Sequence, residues 1–307
     1  VKAEHVCTAA KVNRLALYCG MTVQQCFQQL QQQLVALYEP PEAEQIANMV
    51  IEKVTGLHKM DRILNGQTPV NARHLEQLQH YAGQLQQYKP VQYLLKEAWF
   101  YKMPFYVDEH VLIPRPETEE LVNLIVEDYS NQLNVLEVID IGSGSGCIAV
   151  SIAAELPSAI VTAADISEHA LAVISLNAKM NNTEAVFPVR LDILDITDRA
   201  SLDMFDIIVS NPPYIMQRES RDMEQHVLDY EPHLALFVPD DDPLLFYRNI
   251  AEFAATHLND DGSIYLEINQ ALGNATVALF ESAGYLVELR KDMQGKDRMV
   301  KARKPLP

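Results

Sequence analysis

Four cysteines stand in the 307 residues: Cys7, Cys19, Cys26 and Cys147. None forms a Cys-x-x-Cys pair or has histidines at ligand spacing, so neither a disulfide framework nor a zinc site is expected. No other metal site is expected. Long apolar runs are also missing, and none approaches the roughly 20 residues a membrane helix needs. The sequence as given does not open on a basic stretch followed by a hydrophobic one. These absences point to a cytoplasmic chain with no membrane partner. Basic residues are scarce, 24 against 42 acidic, for a net charge of −18. Neutralised phosphates supply most of the free energy of gripping a nucleic-acid backbone, so this balance argues against extended nucleic-acid binding, though not against a local basic patch. No internal repeat occurs. The one biased stretch, Gln24 to Gln33, reads as the solvated face of a helix.

An apolar content of 48% is ample for a core, and the length suggests two domains. Residues 1–20 have no clear period and read as a loosely ordered extension. From Thr22 the pattern turns helical, with Val23, Cys26, Phe27, Leu30, Leu34 and Leu37 at three- or four-residue spacing until Pro40-Pro41 stops the run. Further helices are predicted over Glu42 to Val54, Lys59 to Leu64 and Asn71 to Gln86. Residues 21–90 thus read as a small helical domain, and without titratable clusters its task is partner recognition or scaffolding. Between Val91 and Ile113 aromatic and β-branched residues dominate, which predicts a β-hairpin linker over 91–113. The run Ile113-Pro114-Arg115-Pro116-Glu117-Thr118-Glu119 then opens a helix, Glu117 to Tyr129. Its glutamates complement the positive end of the helix dipole. Arg115, between two prolines, is less easily explained, and Arg115 and Glu117 are candidate substrate contacts. From Val135 the chain alternates strands (Val135 to Ile141, Ala159 to Ala164, Ala185 to Leu191, Phe205 to Ser210, Gly262 to Ile268) with helices. That pattern predicts an α/β fold: a doubly wound, mostly parallel, seven-stranded Rossmann-like sheet. The last two strands, Tyr285 to Leu289 and Arg298 to Arg303, have a short connection and are predicted to be antiparallel neighbours. Residues 215–236 are long, polar and acidic, and read as a mobile lip over the site.

Two motifs carry chemistry. Asp140-Ile141-Gly142-Ser143-Gly144-Ser145-Gly146 ends a strand and opens a helix, the context in which a glycine-rich loop admits a nucleotide-like ligand. Asp140 would repel a pyrophosphate but suits a ligand with an ammonium group and a positive sulfur, which describes S-adenosylmethionine. Asp165, ending the second strand, can accept ribose hydroxyls, and Asp192, after the third, can take the adenine amino group. Each acid alone is an ordinary cap or turn residue; together with the loop they make a constellation, with a nicotinamide cofactor as the rival reading. The second motif is Asn211-Pro212-Pro213-Tyr214. Its prolines restrict Asn211 to an extended conformation and leave carbonyls without local donors. The turn therefore offers oxygens to an incoming NH2 group, with Tyr214 as a flat face beside them.

With both motifs in place, the sequence resembles the class I S-adenosylmethionine-dependent methyltransferases. More narrowly it resembles the peptide chain release factor glutamine N5-methyltransferases. The likeness covers the helical N-terminal domain, Pro90 to Tyr93 through Trp99-Phe100, the segment 113–119, the glycine loop and Asn211 to Tyr214. It implies a methyltransferase domain over 114–307, a substrate-recognition role for 21–90, and a monomeric enzyme acting on release factors. It implies a cofactor pocket of Asp140, Gly142, Ser143, Gly144, Ser145, Gly146, Asp165, Asp192, Ile193 and Asn211, with S-adenosylhomocysteine as product. Asn211, Pro212, Pro213 and Tyr214 would hold the glutamine, and Asn211, Pro212 and Tyr214 would act in transfer. Ser143 and Ser145 stand where threonine is common in the family, and Ile193 where some relatives carry an aromatic. Asn-Pro-Pro-Tyr is shared with adenine-N6 DNA and some guanine-N2 RNA methyltransferases, so a nucleic-acid amino methyltransferase is the rival enzyme. A non-catalytic cofactor-binding scaffold is the rival from another class.

Overall fold

A computed structural model describes residues 20–305, so the expected extension, apart from Gly20, lies outside the described residues. The chain divides into two compact units, the first ending at Leu95 and the second beginning at Lys96.

In the first unit α1 (Val23–Leu34) starts at a capping box, in which Thr22 and Gln25 each receive the other's backbone N–H. Its residues Val23, Cys26, Phe27, Leu30 and Leu34 are buried on one stripe. The helix stops earlier than expected. Pro40 and Pro41 instead occupy the first turn of α2 (Pro40–Thr55), where a missing N–H costs nothing. Next come α3 (Lys59–Asn65) and α4 (Ala72–Leu85), the latter capped by Asn71. A fifth helix, α5 (Val91–Leu95), corrects the hairpin boundary. Composition there favoured a strand, but Pro90 accepts the first helical N–H from Leu94 at 3.2 Å, and Val91, Leu94 and Leu95 pack into the helical core.

The second unit opens on the true hairpin, β1 (Ala98–Phe100) and β2 (Met103–Phe105). Its two-residue turn puts Tyr101 and Lys102 at φ 49° and 64°, a conformation that usually selects Asn-Gly. Glu119 Oε1 supports it by accepting the Tyr101 N–H at 2.9 Å. There follow α6 (Pro116–Tyr129), β3 (Leu136–Ile141), α7 (Cys147–Glu155), β4 (Ala159–Asp165), α8 (Glu168–Met180), β5 (Val186–Arg190), α9 (Ile196–Arg199) and β6 (Phe205–Ser210). Then come β7 (Ile215–Met216), α10 (Gln225–Tyr230), β8 (Phe237–Val238), α11 (Leu245–His257), β9 (Leu258–Glu267), α12 (Gly273–Ser282), β10 (Leu286–Lys291) and β11 (Asp297–Arg303).

Seven strands form one sheet in the order β10-β11-β9-β6-β3-β4-β5, parallel except at β11, which runs antiparallel to both neighbours. Strand alternation sorts the apolar side chains to two faces. Val138, Val161 and Val209 pack with α6, α7 and α8; Ile139, Ala164 and Ile208 pack with α11 and α12. The chain runs outward through β3, β4 and β5, then returns to lay β6 beside β3. Ligands of such sheets bind beyond the strand ends where the winding reverses. Here Ile141 and Ser210 pair as the last residues of β3 and β6, and the Ser210 hydroxyl donates to the Ile141 carbonyl at 2.6 Å. The glycine loop and Asn211 thus lie side by side, although about seventy residues separate them in sequence.

Candidate active site

Three glycines shape the first loop: Gly142, Gly144 and Gly146 take φ of 73°, 57° and 79°, the left-handed region that side chains resist. Their surroundings differ. A Cβ on Gly142 or Gly144 would meet nothing within 4 Å, whereas one on Gly146 would press on Ile174 at 3.2 Å. Gly142 and Gly144 accordingly line a cavity of about 370 Å³, and Gly146 is where α8 packs against the loop. Ser143 and Ser145 are buried and do not line the cavity. The Ser145 carbonyl accepts from Asn177 Nδ2 at 2.8 Å, and the same side chain exchanges two hydrogen bonds with the Tyr106 backbone.

Asp140 stands behind the loop, fully buried and outside the cavity wall. Its Oδ2 accepts from the Ser143 hydroxyl at 2.5 Å and the Ala149 N–H at 3.2 Å, while Oδ1 has no hydrogen-bond partner among the described residues. Burial pushes its carboxyl up to about 7 against those two donors. Asp165, at the end of β4, lines the cavity and accepts the N–H groups of Gly144 and Ser167, both at 2.9 Å. Burial raises it too, opposed by those bonds. Asp192 and Ile193 also belong to the wall; Asp192 Oδ1 accepts the Leu194 N–H at 2.9 Å. Phe246 and Ile250 of α11, which no sequence motif marks, add apolar surface to the wall.

Asn211 and Pro212 line this cavity and also a second one of about 310 Å³, which Arg115, Tyr214, Asp222 and Val227 help enclose. Pro213 lies in the wall of the first. Asn211 Nδ2 donates to Thr118 Oγ1 at 3.2 Å, the Thr118 hydroxyl donates to Glu267 Oε2 at 2.6 Å, and the Tyr214 hydroxyl donates to Glu267 Oε1 at 3.0 Å. Glu267 is fully buried at the end of β9, and burial raises its carboxyl. Burial also raises the Tyr214 phenol, with Glu267 adding to the effect, so it keeps its proton. Arg115 forms a 2.5 Å ion pair with the buried Glu231, whose other oxygen accepts the Ile113 N–H at 3.3 Å. Glu117 lines neither cavity. Residues 215–236 are a folded segment: β7 at its start pairs with β8 just beyond its end, Glu219 accepts from Asn269, and Glu231 pairs with Arg115. Thr118, Glu231 and Glu267 were not singled out in the sequence, because each looks like an ordinary helix, loop or strand-end residue until its distant partner is seen.

The fold is that of a methyltransferase. Residues 119–230 match the family model of the methyltransferase small domain, and residues 24–95 that of the PrmC N-terminal domain. The release factor glutamine methyltransferase of Flavobacterium psychrophilum is 44% identical over 276 residues, 89% of this chain and 96% of that one. That of Bacteroides thetaiotaomicron is 41% identical across 89% of this chain and 97% of its own length, and that of Streptococcus pneumoniae 41% across 91% and 98%. The chain belongs to the release factor glutamine methyltransferase family.

Proposed function

We propose that this protein transfers a methyl group from S-adenosylmethionine to the side-chain amide nitrogen of a glutamine in a peptide chain release factor. The observation that carries the reading is that Asn211 and Pro212 stand in the walls of two cavities at once, where a methyl donor and an acceptor amide would meet. The first cavity suits the cofactor. Gly142 and Gly144 leave room for close approach, Asp165 and Asp192 can accept hydroxyl and amino hydrogens, and the apolar wall suits a flat ring. The unpartnered Asp140 Oδ1 adds a negative field behind the loop when ionised. Bound S-adenosylmethionine supplies an electrophilic methyl on a positive sulfur.

An amide nitrogen is a weak nucleophile because its lone pair is delocalised into the carbonyl. The Asn211 side-chain oxygen and the Pro212 carbonyl would each accept one of its N–H groups. That holds the nitrogen in line for attack and offsets the positive charge it develops, the mirror image of an oxyanion hole. The methylated nitrogen would then release one of its N–H protons to water, S-adenosylhomocysteine being the other product. The Tyr214 ring, its hydroxyl tied to Glu267, would offer its face to the amide and to the cationic centre. The rest is positioning. The test supplies labelled methyl donor with release factors, ribosomal proteins, DNA and RNA in parallel, followed by mass spectrometry. One added CH2 on one release-factor glutamine is expected, and label in nucleic acid alone would reverse the reading.

A further inference from the structure

Besides Arg115 in the wall of the second cavity, the segment 113–119 reaches the site through Thr118 and not through its glutamates. Glu119 supports the hairpin turn, Glu120 next to it accepts the Met293 N–H, and Glu117 lines neither cavity. Thr118 is 2% exposed and bridges Asn211 to Glu267. We propose that Thr118 and Glu267 are positioning residues: a one-way hydrogen-bond relay that fixes which end of the Asn211 amide faces the acceptor. This inference rests on the functional reading above.

The direction follows from counting hydrogens. Each Glu267 oxygen faces one hydroxyl, at 2.6 and 3.0 Å, and in its ionised form the carboxylate can only accept a hydrogen bond from each. The Thr118 hydroxyl has one hydrogen, and it is engaged in the hydrogen bond to Glu267. Toward Asn211 the same oxygen then presents lone pairs, which only an N–H can meet. A flipped amide would set oxygen against oxygen, and amide orientation is decided by such networks. Nδ2 is thereby held toward Thr118, and Oδ1 is turned to the opposite side as an acceptor. A site so arranged welcomes the NH2 of glutamine and rejects the carboxylate of glutamate, which has no hydrogen to offer. The same carboxylate holds the Tyr214 ring, so one buried group sets both working side chains. It is itself fixed from the backbone, where the Tyr247 hydroxyl donates to the Glu267 carbonyl at 3.2 Å.

The experiment compares Thr118→Val, which keeps the shape and removes the hydroxyl, with Thr118→Ser, which keeps the hydroxyl. Thr118→Val should lower kcat for glutamine methylation by roughly 10- to 100-fold with the cofactor Kd within about threefold of wild type, and Thr118→Ser should restore most of the rate. Glu267→Gln should fall into the same range, and the double variant should lose no more than about threefold beyond the worse single one, because both changes break one chain. Wild-type turnover in Thr118→Val, or fully multiplicative losses in the double variant, would overturn the relay. A second readout needs no acceptor: the Asn211 side-chain amide resonances of isotope-labelled protein. They should be sharp and slow to exchange in wild type and Thr118→Ser, and broadened or shifted in Thr118→Val. An unchanged signal in Thr118→Val overturns the relay whatever the substrate. The expected signals with no transfer to glutamine overturn the functional reading and leave the relay standing.

Discussion

The two loops that meet at the ends of β3 and β6 are held in different ways. The glycine loop is held mainly through its backbone: three positive-φ glycines, the Gly144 N–H on Asp165, the Ser145 carbonyl on Asn177, with the Ser143 hydroxyl on Asp140 its one side-chain tie. The loop of Asn211 to Tyr214 is fixed from afar, by Thr118 on α6, Glu267 at the end of β9, and Asn269, whose Nδ2 donates to the Tyr214 carbonyl at 3.2 Å. A loop that must admit a ligand against its backbone has few side chains to spare for outside anchors. A loop whose side chains do the work needs those side chains held from behind.

Substitution can break this contrast. The largest effect is expected on the side-chain loop, where Asn211→Ala should cost on the order of 10²–10³ in kcat, by analogy with a lost oxyanion donor, and little cofactor affinity. Single-turnover rates and calorimetry on the same variant separate the two, and near wild-type turnover would remove Asn211 from the chemistry. Asp165→Ala should do the reverse. Losing a charged acceptor that also ties Gly144 and Ser167 should weaken cofactor binding by roughly 10- to 100-fold, and an unchanged calorimetric Kd would take Asp165 out of the site.

Asp140→Asn tests the buried charge behind the glycine loop. The carboxyl is raised to about 7 in the folded protein from an ordinary 3.8, so the folded state holds a proton that the unfolded chain has released. Its contribution is therefore most favourable below about pH 4 and is lost as pH rises toward 7. Asp140→Asn should flatten that part of the stability–pH curve and be the more stable form at pH 8, while weakening cofactor binding. Denaturant melts across pH give the answer, and a curve of unchanged shape would contradict the raised carboxyl. The smallest effects separate the glycines. Gly146→Ala should cost about 1–2 kcal/mol in stability, from strained φ plus the Ile174 contact. Gly144→Ala should cost about 1 kcal/mol and show itself chiefly as lost cofactor affinity. Equal stability losses with equal affinities would erase the distinction drawn between them.

The same contrast explains what could be read from residues alone. The alternation after Val135 was enough for the seven-stranded sheet, including the antiparallel last pair, because strand and helix periods are local signals. The glycine loop and Asn211 to Tyr214 were legible as motifs for the same reason. The relay residues were not: Thr118 and Glu267 are 149 positions apart in sequence, and nothing near either one announces the other. The hairpin is shorter than 91–113, and its ends carry no local mark because Tyr101 and Lys102 make the turn without Gly or Asn. The helix at Val91–Leu95 is not legible locally, because burial in the helical core outweighs a composition that favours strands.

Because Asn211 and Pro212 belong to both cavities, occupancy of one side and affinity on the other are thermodynamically linked. Whatever factor a bound donor contributes to acceptor affinity, a bound acceptor must return to donor affinity in equal measure. Two titrations, each run with the other ligand absent and then saturating, must therefore close a cycle. The size of that shared factor measures how much of the wall each ligand has already put in order for the other.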